Sequence, residues 1–159
     1  ICNAKVNDSC GFHVHMDAAS FNLDTWKNLA LTYKHLEHLI DAFMPRTRRN
    51  NTYCKTLSGV SDERIKSVRT IDGLREVFNN DRYHKVNFEA YSRHRTVEFR
   101  QHSGTTNFTK MENWIRFLNG LITFAKRSSL PSRMTLEELP FLDGKQKLFF
   151  KLRTKKLAV

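Results

Sequence analysis

Cys10-Gly11-Phe12-His13-Val14-His15-Met16-Asp17 is the stretch that decides how this chain is read. Phe12, Val14 and Met16 alternate with His13, His15 and Asp17, the period of two that belongs to a strand. One face of that strand is apolar and built to pack. The other carries two imidazoles and a carboxylate, a load that an ordinary solvent face does not need. Histidines two residues apart on a strand share a face, so they can share one metal or one phosphate. Gly11 just before them permits close approach of a backbone or a ligand. Taken alone, a His-x-His pair is more often a solvated or packed pair than a site.

A second strand is predicted over residues 96–102, Thr96-Val97-Glu98-Phe99-Arg100-Gln101-His102. Val97 and Phe99 would pack inward, while Glu98, Arg100 and His102 would project to the other face. A carboxylate and a guanidinium projecting together suit a metal–phosphate site. Glu98 would offer oxygen to Mg²⁺, and Arg100 would hold a carboxylate or phosphate in a two-pronged grip. The plainer reading of the same residues is an ion pair between neighbours.

Between and after these strands the pattern turns helical. Asp24 is the predicted cap of a helix reaching about Phe43, with Trp26, Leu29, Tyr33, Leu36, Ile40 and Phe43 on one apolar stripe. Pro45 ends it. Residues 45–51 form a basic loop carrying Arg46, Arg48 and Arg49. Residues 61–68 and 71–78 read as short helices. Residues 83–88 read as a strand paired with 96–102 through a hairpin at 91–95. Thr109 and Glu112 form a capping-box pattern for a second long helix, which would bury Met111, Trp114, Ile115, Leu118, Leu121, Ile122 and Ala125. Residues 145–157 suggest a basic amphipathic helix. The expected class is α+β, an antiparallel sheet backed by long amphipathic helices.

With 159 residues the chain suits one domain. Hydrophobic residues at 40% and charged residues at 27% exclude a disordered class. The formal charge of +11 and a pI near 9.9 point to an anionic partner or substrate. Cys2, Cys10 and Cys54 are too few for a disulfide framework, and reduced thiols in a cytoplasmic protein are expected. No apolar run approaches the ~18 residues that would span a membrane.

The two strand motifs, in this order and each beside a long helix, resemble the glutamine synthetase superfamily, and more closely its amidoligase family. The similarity is carried by Cys10 through His15, by Pro45-Arg46-Thr47-Arg48-Arg49-Asn50, by Arg82-Tyr83-His84-Lys85-Val86-Asn87, by Thr96 through Asn107, and by Trp114-Ile115. It spans about residues 10–125, with 126–159 as a C-terminal helical extension. The resemblance implies a glutamine synthetase-like catalytic core and an ATP- and Mg²⁺-dependent (or Mn²⁺-dependent) ligation of a small-molecule or peptide carboxylate to an amine through an acyl phosphate. It implies metal or nucleotide-phosphate contact for His13, metal binding and a catalytic role for Glu98, a catalytic role for His15, and catalytic and substrate contacts for Arg100. It further implies nucleotide contacts for Arg46, Arg48, Arg49 and Arg95, and substrate contacts for His102 and Asn107. Superfamily sites carry further carboxylates on earlier strands, whereas only Asp8 precedes His13 here. The core is therefore expected to lack its N-terminal strands, with upstream sequence or a partner chain completing the site. Two rival readings stand beside this one. A basic nucleic-acid-binding protein would use the 46–49 loop and the lysine-rich C-terminal segment. A metal-dependent hydrolase would use the His-x-His face.

Overall fold

A computed structural model describes residues 3–158; Cys2 lies outside them. Three strands and two long helices set the frame. They are β1 (Val14–Asp17), α1 (Leu23–Ala42), β2 (Val86–Asn87), β3 (Thr96–Phe99) and α5 (Phe108–Ala125). Short helices α2 (Asp62–Ser67), α3 (Ile71–Val77) and α4 (Ala90–His94) join them, and α6 (Gly144–Leu157) follows. The strands form one open antiparallel sheet in the order β1-β3-β2. The class is α+β, as the patterning indicated.

Alternation explains the sheet's two faces. Val14, Phe99 and Val86 stand opposite one another across the three strands, and all are buried. Beneath them lie α1 and α5. Tyr33 of α1 reaches the ring of Phe99 at 6.0 Å between centroids. From α5, Trp114, Phe117, Leu118 and Leu121 enter the same core. Each such side chain contributes about 1.5–3 kcal/mol through burial. Phe150 of α6 packs on Phe43 at 4.4 Å and on Phe117 at 5.4 Å, so the C-terminal helix belongs to this core too.

Several local expectations are corrected. Asn22, not Asp24, caps α1, accepting from the Thr25 amide at 2.9 Å. Asp24 sits in the first turn, where its charge favours the helix dipole. Asn107, not Thr109, caps α5, accepting from the Lys110 amide at 3.0 Å. Ile115 is 41% exposed, and Phe117 fills the core instead. The link between β2 and β3 is the helical turn α4, closed by Arg95 in the left-handed region at φ 55°. The first strand is regular only from Val14. Upstream, Gly11 bridges Ser103, so three steps along β1 oppose four along β3. That extra residue is a bulge just beyond Phe99, and it turns His102 away from the Glu98 face.

Candidate functional site

The register of the sheet assembles the polar face. His15 stands opposite Glu98 on one side, and Asn87 stands opposite Glu98 on the other. Glu98 is thus the middle of a three-strand row, with His13 and Arg100 one same-face step away. Its Oε1 lies 3.2 Å from His13 Nδ1, 3.1 Å from Arg100 Nη1 and 3.6 Å from His15 Nε2. Its Oε2 accepts from Asn87 Nδ2 at 2.6 Å. His15 Nδ1 meets Thr96 Oγ1 at 2.8 Å, which fixes that ring. The Glu98 side chain is 8% exposed, whereas those of His13 and His15 are 36% and 42% exposed. The cluster therefore has a closed floor and an open rim.

Burial alone would favour the neutral acid of Glu98. Hydrogen bonds from His13 and Asn87, with the Arg100 charge, outweigh it and bring the pKa down to about 2. At neutral pH Glu98 is a carboxylate already surrounded by donors. Arg100 lies with its guanidinium 5.4 Å over the Tyr83 ring, and its buried Nε has no hydrogen-bond partner among the described residues. The open imidazoles of His13 and His15, with the Arg100 guanidinium below them at 12% side-chain exposure, suit an incoming anion. The same cluster does not suit a divalent cation held by protein alone. Oε1 is shared with a guanidinium, and no group of three or more His, Cys, Asp or Glu able to hold a metal occurs among the described residues.

Gly11 explains its place in the motif. A Cβ there would come within 2.7 Å of His13 Nε2 and 2.9 Å of Arg48 Nη2, so a side chain would displace the imidazole. Gly104 closes the other strand end in a similar way, because a Cβ would stand 2.5 Å from Cys10 Cβ.

The remaining sequence candidates lie elsewhere or work differently. Arg48 is buried and donates through Nε to the Gln101 carbonyl at 3.2 Å and through Nη2 to the Arg100 carbonyl. It holds the main chain under Arg100, and its Nη2 lies beside Gly11 near the His13 ring. Arg49 donates to the Met44 carbonyl at 3.0 Å, and Arg46 is exposed. Arg95 is exposed at the far end of the sheet, 4.9 Å over the Tyr91 ring, with its carbonyl accepting from Ala18. Asn107 spends its side chain as a helix cap. His102 is buried against Phe12 and Trp114, and its Nδ1–H donates to the Ser103 carbonyl at 2.7 Å. Burial, with the nearby positive charges of Arg153, Lys110 and Arg48, outweighs that bond and pushes His102 down to about 4. Asn87 and Thr96 are the side chains whose place in the cluster the sequence did not reveal. Their signal is their position opposite Glu98 and beside His15, which only the strand pairing exposes.

The sequence profile of the putative amidoligase enzyme family matches residues 2–122, about three-quarters of the chain. The chain belongs to that family. No curated protein and no solved structure matches it. Among the described residues, no helix is long and apolar enough to cross a membrane.

Proposed function

We propose that the protein is an ATP-dependent carboxylate–amine ligase with a glutamine synthetase-like core. It would join a small-molecule or peptide carboxylate to an amine through an acyl phosphate. The observation that carries this reading is the closed Glu98–Arg100 floor beneath the open imidazoles of His13 and His15. A carboxylate at neutral pH is a poor acyl donor. When bound, ATP with Mg²⁺ or Mn²⁺ supplies the phosphoryl group that gives it a good leaving group.

The chain's own residues then have separable tasks. Arg100 grips the carboxylate oxygens, and its charge opposes the negative charge that grows on them. His13 and His15 offer ring nitrogens to the same anionic group. Glu98 touches neither partner first; it holds Arg100 and His13 in position and offsets the charge of the rim. Asn87 fixes Glu98, and Thr96 fixes His15. Arg48, by holding the Arg100 carbonyl, keeps the strand end that carries the guanidinium in register. The donors fit an anion, so a divalent cation would arrive with the nucleotide's phosphates and waters supplying most of its ligands.

The test is ADP release that requires both a carboxylate and an amine, read across a panel of each. Arg100→Met is expected to reduce it about a hundredfold or more. ADP release without either substrate, or an unchanged rate in Arg100→Met, would remove the proposal.

A further inference from the structure

One cationic recess of the molecule lies away from the strand face. A cavity of about 530 Å³ opens between α6, the first turn of α5 and the N-terminal segment. None of His13, His15, Glu98 or Arg100 lines it. Its charged lining is Lys110, Arg153 and Lys156, opposed by Asp8 alone. Its walls include Phe149 and Leu152 of α6, and most of its lining surface is apolar. The α6 side lies beyond the family-matched residues 2–122.

The placement of Lys110 there runs against ordinary electrostatics. Lys110 stands in the first turn of α5, a turn with no acidic residue, where the helix dipole disfavours a cation. Arg153 is half-buried and donates Nε to the Phe43 carbonyl at 2.8 Å, which leaves its other donors uncommitted to that bond. None of the three cations forms an ion pair with a carboxylate among the described residues. Their mutual repulsion is visible in Lys110, whose pKa is lowered by burial and by the charges of Arg153 and Lys156. Three cations gathered against one carboxylate leave an excess of about two positive charges. A single carboxylate ligand would not balance that excess, and a fully polar anion would waste the apolar wall.

We propose that this cavity binds a diphosphate ester with an apolar body, the diphosphate held by Lys110, Arg153 and Lys156 and the body packed on Phe149 and Leu152. The volume suits a ligand of that size. Two sources share the chemistry, a nucleoside diphosphate and a short isoprenyl diphosphate. The site is separate from the strand face, so it stands or falls independently of the ligase reading.

Titration calorimetry with ADP, geranyl diphosphate and inorganic pyrophosphate tests it. At least one of the two esters should bind about tenfold or more tightly than pyrophosphate, and which one does so identifies the source. The double variant Lys110→Gln/Lys156→Gln should weaken that ester about tenfold or more. It leaves Arg153 and its bond to Phe43 in place, so folding is not at issue, and its circular dichroism and melting point serve as the check. Arg127→Gln should leave binding of the ester within about twofold, since this exposed cation lies outside both the cavity and the strand face. Absence of binding by both esters overturns the proposal, as does an ester no tighter than pyrophosphate. Binding unaffected by the double variant, or abolished by Arg127→Gln, overturns it too. None of these readouts depends on turnover.

Discussion

Two polar clusters stand side by side in this fold, and residues 100 and 101 divide them. Arg100 belongs to the open one, with Glu98, His13 and His15. Gln101 belongs to a closed one beneath it. There Lys85, 1% exposed, donates to Glu37 at 3.1 Å and to Asp41 at 2.8 Å. Gln101 donates to Asp41 at 2.5 Å and accepts from Tyr33 Oη at 2.7 Å. The Thr56 hydroxyl and the Leu57 amide, each at 2.5 Å, complete the bonding of Glu37. Both clusters combine carboxylates with cations. In the closed one the polar atoms are spent on each other, and it ties α1 to the strand ends. In the open one the carboxylate is spent while the imidazoles stay half in solvent. The lesson is that residue type alone does not separate a strut from a site; the unspent, exposed donors do.

The sharpest way to break the comparison is to remove the central cation of the closed cluster. Lys85→Met leaves Glu37 and Asp41 without their buried partner and is expected to cost about 3–5 kcal/mol in urea unfolding. Acidification probes both levels next. His102 is held down to about 4 against an ordinary ~6.5, so the unfolded chain binds more protons over that interval and stability falls as pH drops through it. Glu98 is held down to about 2 against an ordinary ~4.3, so its contribution is present above that range and is lost as pH falls towards 2. Urea midpoints across this range should show two successive losses, and His102→Gln should remove the upper one.

A smaller effect on stability, with a larger one on function, is expected from His13→Ala and His15→Ala. Both side chains are partly exposed, so each should change stability by less than about 1 kcal/mol while lowering ligase activity. An unfolding cost comparable with Lys85→Met would erase the distinction between the clusters. The subtlest change is Gly11→Ala. Its Cβ would crowd His13 Nε2, so activity should drop while the melting point moves little.

How much of this was legible in the sequence follows from range. Strand alternation in residues 12–17 and 96–100 named the four side chains His13, His15, Glu98 and Arg100, because period-two faces are a local property. The α1 stripe was legible for the same reason. His102 was not, because the bulge beyond Phe99 breaks the alternation that placed it with Arg100. Asn87 was visible as a family-like residue but had no role until β2 was seen to pair Asn87 with Glu98. Arg48 looked like a loop cation, and its burial depends on carbonyls more than fifty residues away. Asn22 and Asn107 do not stand out as the caps because Asp24 and Thr109 are also residue types that cap helices. The choice between such neighbours is made by where each helix begins to pack.

The central claim is that the open rim serves a carboxylate on its way to an amide. The most direct measurement follows a heavy-oxygen label placed in the carboxylate substrate while ATP and an amine are supplied. In the proposed reaction one carboxylate oxygen would attack the terminal phosphorus with loss of ADP, and the amine would then displace phosphate, which would carry that oxygen, from the acyl carbon. The account predicts that one labelled oxygen per turnover appears in inorganic phosphate, and that Arg100→Met suppresses its appearance. Product formation with the label absent from phosphate would contradict it.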